Sequence, residues 1–173
     1  DFNDGKGIYV EFFNNNDLEG TPDVTGYYNE ALNFSTFGAY GFAEGISTDK
    51  VSVRISGTFK APFTGEMKYA LSSDNGYIFK INGKVHEESK AASRRGFGRR
   101  GGVEYKSFNV VEGQTYDILI EYKRGTGNFA MLNADICERR LIQFDQLAKD
   151  VADADVIIVI GGISAQMEGE GGD

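Results

Sequence analysis

A few polar residues have types and spacing that could do chemistry. Asp74 and Asn75 are adjacent in the segment SSDNG, and their side-chain oxygens can accept hydrogen bonds. The pair suits an Asx-type turn between two strands, with Asp74 accepting hydrogen bonds from nearby backbone N–H groups. The turn is the favoured interpretation.

The remaining candidates are a single histidine and an arginine-rich segment. His86 is the only histidine, and without a second His or a Cys at ligand or triad spacing it predicts neither a metal site nor a nucleophile pair. Residues 90–102 hold four arginines around Phe97, a pattern typical of Arg-Gly nucleic-acid segments: Arg94, Arg95, Arg99 and Arg100. The net charge of -8 argues against nucleic acid and anionic membranes as partners. We therefore expect a solvated loop here, and neutral ligands or cations for the chain.

The composition favours strands joined by tight turns. The chain has 23 Gly, 2 Pro, 13 Phe and 9 Tyr, and aromatic residues are enriched in strands while Gly favours turns. Cys137 has no partner for a disulfide, so packing alone must hold the fold. No stretch approaches the roughly 20 apolar residues that span a bilayer, and the opening DFND does not resemble a signal peptide. Both chain ends look like cuts within a longer polypeptide.

Alternating hydrophobicity predicts a mostly β fold. From Val51 to Phe59 every second residue is apolar or Gly, the period of a half-buried strand. Asn82-Gly83 predicts a hairpin turn. Further strands are expected at 7–13, 66–71, 77–81, 104–110, 115–123 and 128–136, with one or two short strands among the loops of residues 14–50. Seven or more such strands imply an antiparallel sandwich or closed barrel.

The period changes after Ile142. Phe144, Leu147, Ala148 and Val151 lie at helical spacing, and residues 155–162 form a continuous apolar run typical of a parallel strand buried on both faces. Leaving those side chains in water would cost about 1.5 to 3 kcal/mol each. The expected organisation is a β-sandwich over residues 1–142, followed by a helix and strand of an incomplete α/β domain over residues 143–173.

Several segments resemble the protective-antigen-type (PA14) module, a β-sandwich. The similar segments are GIYVEFF (7–13), NDLEG (16–20), VRISGT (53–58), PFTGEMKYALSSDNG (62–76), INGK (81–84) and GQTYDILIEY (113–122). The resemblance covers roughly residues 5–136. It implies saccharide binding, and it places Asp74-Asn75 where sugar-binding relatives carry two consecutive aspartates that hold Ca²⁺. Asn75 keeps one such oxygen and lacks the charge, so the resemblance makes a calcium site the alternative to the turn at this position.

The tail resembles the second domain of glycoside hydrolase family three, the β-glucosidases and β-xylosidases. ADVIIVIGGIS (154–164) and EGEGGD (168–173) carry the resemblance, and some members of that family carry this module inserted ahead of such a strand. The resemblance implies that Glu170, or as second choice Glu168, is the catalytic acid/base in the parent enzyme. Retaining glycosidases need a second carboxyl group, which in that family is an aspartate of a separate barrel domain. The isolated chain is therefore expected not to be an enzyme.

The two resemblances together predict an accessory module that binds an oligosaccharide or glycoside and contacts the rest of a β-glycosidase chain. Asp74, Asn75, Phe97 and Arg94 are the predicted saccharide-contacting residues, the last two through a loop that reaches the sugar. No cofactor is required, with calcium as an option, and the parent protein would be extracellular or periplasmic. The alternatives are a stand-alone calcium-dependent lectin or adhesin and a structural spacer.

Overall fold

The part of the chain that the structure describes contains ten antiparallel strands. The computed structural model describes residues 2–36, 42–47, 49–89, 105–125, 130–137, 149, 151–154 and 156. A short 3₁₀ turn at Asn3–Gly5 precedes the strands. The strands are β1 (Ile8–Phe13), β2 (Val24–Tyr28), β3 (Leu32–Ser35), β4 (Ser52–Lys60), β5 (Gly65–Ser73), β6 (Tyr77–Ile81), β7 (Lys84–Ser89), β8 (Lys106–Val110), β9 (Thr115–Lys123) and β10 (Met131–Cys137).

The strands form two sheets that pack as a sandwich. The six-stranded sheet has the order β2-β1-β4-β9-β6-β7, and the four-stranded sheet has the order β3-β10-β5-β8. Long central pairs hold each sheet, because β4 pairs with β9 along its whole length and β10 pairs with β5 over six residues. The predicted antiparallel sandwich is confirmed.

The core lies between the two sheets and follows from the alternating pattern. In β4 the buried residues Val53, Ile55 and Phe59 alternate with more exposed ones, and in β9 the same holds from Tyr116 to Tyr122. Burying each large apolar side chain contributes about 1.5 to 3 kcal/mol. The strand expected at 115–123 is confirmed as β9, and it turns one apolar face into this core.

Aromatic contacts join the two sheets across the core. Phe12 of β1 meets Phe34 of β3 with ring centroids 5.1 Å apart. Phe79 of β6 meets Tyr69 of β5 at 4.9 Å. Edge-to-face and tilted pairs of this kind add about 0.5 to 1.5 kcal/mol beyond their buried area, so the sheets are held in a defined relative position.

The hairpin at Asn82-Gly83 is confirmed. Asn82 and Gly83 have φ of 49° and 74°, the left-handed values that a two-residue hairpin turn requires. The turn joins β6 to β7, the last strand of the six-stranded sheet, and the pairing of these strands shifts register between Phe79 and Lys80.

The C-terminal segment lies almost wholly outside the described residues. This includes most of the predicted helix and the predicted strand at 155–162, of which only Val156 is described, with 75 % of its surface exposed. The division into residues 1–142 and 143–173 stays a prediction. Within the described ranges, no helix is long and apolar enough to cross a bilayer.

Candidate functional site

Asp74 follows β5 and ties the end of that strand to two others. Its Oδ1 accepts hydrogen bonds from the Tyr122 hydroxyl at 2.7 Å and from the Met131 backbone N–H at 2.6 Å. The Asp74 N–H donates to the Met131 carbonyl oxygen at 3.1 Å. The turn interpretation expected backbone partners near Asp74 in the chain, whereas the partners found come from β9 and β10.

The burial of Tyr122 keeps its hydroxyl protonated and hydrogen-bonded to Asp74. Tyr122 is fully buried at 0 % exposure. Burial raises the pKa of its hydroxyl, and the hydrogen bond to Asp74 and the charge of Asp74 raise it further. The hydroxyl is therefore a permanent donor to Asp74 at any physiological pH.

Asn75 is held by a separate set of contacts. The Asn75 side-chain Nδ2 donates to the Lys123 backbone carbonyl oxygen at 2.7 Å, and the Asn75 backbone carbonyl oxygen accepts from the Ser73 hydroxyl. The side chain packs over Gly125, where a Cβ atom would lie 3.0 Å from both Cγ and Oδ1 of Asn75. A larger residue at 125 would displace the Asn75 amide.

The Asp74-Asn75 pair, as positioned, does not fit Ca²⁺. The ion takes six to eight oxygen ligands, whereas Asp74 Oδ1 already accepts two hydrogen bonds and the Asn75 amide is directed to a backbone carbonyl. Among the described residues no three His, Cys, Asp or Glu side chains cluster as a metal site would require. Asp74 and Asn75 therefore join strands, with partners on β9 and β10 rather than the nearby backbone groups of the predicted Asx turn.

A cleft of about 630 Å³ opens beside Asn75 on the outer face of the six-stranded sheet. Its size is within the range of about 300 to 1,000 Å³ typical of small-molecule sites. Its lining combines carboxylates, cations and apolar side chains, contributed by Asp17, Leu18, Arg54, Asn75, Gly76, Tyr77, Ile78, Glu88, Ser89, Glu121 and Lys123.

Ion pairs fix the floor of this cleft. Arg54 of β4 lies 3.5 Å from Glu11 of β1 and 3.8 Å from Glu121 of β9, and Lys80 of β6 lies 2.7 Å from Glu121. The Arg54 guanidinium also lies over the Phe13 ring, 5.3 Å from its centroid. Strand register places these residues side by side on neighbouring strands, so the charges are neutralised by each other and stay oriented.

The loop that follows β1 forms a wall of the cleft. Asn15 Oδ1 accepts from the N–H groups of Asp17 at 3.0 Å and Glu19 at 3.3 Å. The Leu18 N–H donates to the buried Ser52 hydroxyl at 3.0 Å, which anchors the loop to β4. These bonds make residues 15–19 a tight turn that is fixed to the sheet.

His86 and Glu87 lie at the edge of the sandwich, away from the cleft lining. The His86 ring contacts the aromatic rings of Tyr69, Phe79 and Phe108 at 5.6 to 5.8 Å between centroids. Glu87 accepts hydrogen bonds from Tyr69 at 2.7 Å, from Tyr77 at 2.6 Å and from Lys106. This cluster joins β7 to the opposite sheet, and the sequence reasoning missed it.

The remaining predicted site residues lie outside the described residues. These are Phe97 and Arg94 of the arginine-rich segment, and Glu168 and Glu170 of the tail. The cleft residues Asp17, Arg54 and Glu121 were also missed. The signal that could have found Arg54 and Glu121 is their outward position in strands with a clear alternating pattern.

Comparisons with known proteins give the fold and the family. A xylan 1,4-β-xylosidase of Xylanibacter ruminicola is 26 % identical over 168 residues, which cover 95 % of this chain and 18 % of the relative. This chain therefore spans less than a fifth of that protein's length. A β-glucosidase structure from Kluyveromyces marxianus has a TM-score of 0.59 at 19 % identity, covering 84 % of this chain and 19 % of that one.

An adhesin shares the same sandwich. The structure of the epithelial adhesin 6 A domain from Candida glabrata, in complex with Galβ1-3GlcNAc, has a TM-score of 0.54 at 11 % identity, covering 80 % of this chain and 82 % of that one. Residues 4–136, which are well over half of the chain, match the PA14 domain. This protein is accordingly a member of the PA14 domain family.

Proposed function

We propose that the chain is a carbohydrate-binding accessory module of a family three β-glycosidase, where it shapes substrate recognition near the active site. The observation that carries the proposal is the length of the match to the xylan 1,4-β-xylosidase, 168 residues covering 95 % of the chain. A match of that length extends past the PA14 region at 4–136 into residues 143–173. The order of module and tail therefore agrees with an insertion into a hydrolase.

The cleft beside Asn75 is the saccharide site in this proposal. Asp17, Glu88 and Glu121 offer acceptors for sugar hydroxyls, and Leu18 and Ile78 offer apolar contact for the C–H groups of the ring. A few convergent polar groups in a partly apolar concave surface are typical of small-molecule sites. In this proposal the Asp74 turn positions Asn75, and Phe97 and Arg94 of the arginine-rich segment extend the contact to the sugar.

Catalysis belongs to the parent enzyme rather than to the module. In this proposal Glu170 is the acid/base residue of a retaining mechanism, with Glu168 as second choice, and the nucleophile is an aspartate of another domain. The isolated chain has no turnover, and the parent protein is extracellular or periplasmic.

Saccharide titration of the 173-residue chain tests the binding role. We expect xylo- or cello-oligosaccharides to shift backbone amide signals of Asn75, Gly76 and Leu18 in two-dimensional NMR spectra. Asp17→Ala should weaken binding by at least about tenfold, because loss of a charged hydrogen-bond acceptor costs about 1.5 to 3 kcal/mol. Glu112→Ala is the matched control, since Glu112 is an exposed carboxylate that does not line the cleft.

Measuring saccharide affinity with and without calcium distinguishes the accessory module from a calcium-dependent lectin. The proposal expects the same affinity in calcium and in chelator, whereas a calcium-dependent lectin would lose binding in chelator. Absence of any saccharide effect at millimolar concentration would favour the structural spacer instead.

A second experiment tests the catalytic assignment in the full-length parent enzyme. Glu170→Gln should strongly reduce hydrolysis of a natural glycoside, while Glu168→Gln should reduce it far less. Near-normal hydrolysis by Glu170→Gln would contradict the assignment to Glu170.

A further inference from the structure

A second cleft lies on the same outer face of the six-stranded sheet, towards the opposite ends of β4 and β9. It has a volume of about 1010 Å³. Its lining includes the Asn3–Gly5 turn, Lys6 and residues of β1, β2, β4 and β9. None of its lining residues lines the cleft beside Asn75.

A partly exposed aromatic pair forms one side of this second cleft. Tyr9 of β1 and Tyr27 of β2 are directly opposite each other in the strand pairing. Their ring centroids are 5.0 Å apart with an interplanar angle of 48°, and Tyr27 is 52 % exposed. An aromatic face carries negative partial charge and attracts the weakly positive C–H groups on a pyranose ring. The pair is thus suited to contact the flat side of a sugar.

Oriented hydroxyl and carboxylate groups lie next to the aromatic pair. Ser56 is the β4 partner of Tyr9 in the strand pairing. The Thr58 hydroxyl donates to Asp117 Oδ1 at 2.8 Å, and the Asp117 N–H donates to Asn82 Oδ1 at 2.8 Å. Sugar hydroxyls both donate and accept hydrogen bonds, so they can pair with these hydroxyl and carboxylate groups.

The charges that line the second cleft balance each other. Asp4 and Asp117 carry negative charge, and Lys6 and Lys60 carry positive charge. A phosphate-rich or polyanionic ligand would need an excess of cations, which this lining does not offer. The balance favours a neutral polar ligand.

The wall beside the strands is built from left-handed backbone. Asn3, Asp4 and Gly5 have φ of 48°, 55° and 86°, which costs energy for residues other than Gly. Two hydrogen bonds of the Asn3 side chain hold the segment. Asn3 Nδ2 donates to the Gly7 carbonyl oxygen at 2.7 Å, and Asn3 Oδ1 accepts from the Thr58 N–H at 3.0 Å. The wall is therefore fixed before any ligand arrives.

We propose that this second cleft, around Tyr9, Tyr27, Ser56 and Asp117, binds a neutral saccharide chain independently of the cleft beside Asn75. The ligand class is shared with the proposed function, and the site is separate from it. The rings contact a sugar face, while Ser56, Thr58 and Asp117 pair with its hydroxyls.

Xylohexaose and cellohexaose are the probes, titrated into the ¹⁵N-labelled chain. Binding at the second cleft should shift the amide signals of Tyr9, Gly26 and Ser56. Tyr27→Ala should weaken this binding by about tenfold, and Tyr27→Phe, which keeps the ring, should change it by less than about twofold. Val85→Ala is the matched control, because Val85 is a 58 % exposed apolar residue outside the cleft. An oligogalacturonide of equal length should bind more weakly, since it is anionic.

The outcomes at the two clefts are distinguishable. Asp17→Ala should leave the Tyr9 and Ser56 shifts unchanged, so these shifts support the second site even if the cleft beside Asn75 fails to bind. Shifts confined to Asn75 and Gly76 would overturn the second site and leave the proposed function standing. Binding of both hexasaccharides by Tyr27→Ala with unchanged affinity would also overturn it. Because the wild-type shifts locate the site directly, the test does not depend on whether Tyr27→Ala folds.

Discussion

Replacing Asp74 with alanine should destabilise the sandwich by about 2 to 6 kcal/mol. The substitution leaves the buried Tyr122 hydroxyl and the Met131 N–H, which donate to Asp74 Oδ1 at 2.7 and 2.6 Å, without their acceptor. Each buried donor left without a partner costs about 1 to 3 kcal/mol. Asp74→Asn keeps an acceptor oxygen and removes the charge, so about 1 to 2 kcal/mol should be lost, because charge-assisted hydrogen bonds are roughly twice as strong as neutral ones.

Urea denaturation at pH 7, with and without calcium, measures these free energies of unfolding. Tyr122→Phe completes the series, because it keeps the ring and removes only the hydroxyl. In a double-mutant cycle with Asp74→Asn, the two changes should be non-additive by at least about 0.5 kcal/mol, as is usual for residues in direct contact. All of these effects should be the same in calcium and in chelator.

A loss of less than about 1 kcal/mol for Asp74→Ala in chelator would refute this reasoning. So would a wild-type free energy of unfolding that rises with calcium while that of Asp74→Ala does not. The second result would show that Asp74 holds an ion rather than two strands.

Two further predictions concern Glu87 and Gly7. The hydrogen bonds from Lys106, Tyr77 and Tyr69 outweigh burial, which by itself raises the pKa, and hold the pKa of Glu87 below its ordinary value of 4.5. A carboxylate whose pKa is lower in the folded than in the unfolded protein stabilises the fold at pH values above its unfolded pKa. This contribution is lost as the pH falls through the folded pKa. The stability difference between wild type and Glu87→Gln in urea should therefore be full at pH 6 and shrink below pH 4.5; a difference that grows towards acid pH would contradict it. Gly7→Ala should cost about 3 kcal/mol or more, because φ is 93° and the new Cβ would overlap the Tyr28 carbonyl oxygen. Gly5→Ala is the control, with φ of 86° and open space around it, and should cost only about 1 kcal/mol; equal losses in the two variants would show that the overlap is relieved.

Much of the fold could be predicted because its determinants are local. The alternation from Val51 to Phe59 marks one buried face, and the Asn82-Gly83 pair needs only its own positive φ values to specify a hairpin. The loops after β1 were expected to contain one or two short strands, and β2 and β3 are the two found. In each case a few consecutive residues carry the signal.

Most of the candidate site could not be predicted because it depends on contacts between distant segments. Asp74 meets Tyr122 and Met131 only through the pairing of β5 with β10 and the packing of β9. Tyr9 and Tyr27 become neighbours only because β1 and β2 pair in one register. Glu87 gains three donors from three other strands, none of which its own sequence neighbourhood reveals.

β7, one of the two outer strands of the six-stranded sheet among the described residues, affects whether copies of this protein associate at high concentration. An unpaired strand edge is a template on which another chain can add, and proteins guard such edges with charge and irregular pairing. β7 carries Lys84, Glu87 and Glu88, and its pairing with β6 shifts register between Phe79 and Lys80. A second copy arriving at this edge would have to desolvate these charged side chains and match an irregularly paired strand, so the edge resists growth into a continuous intermolecular sheet.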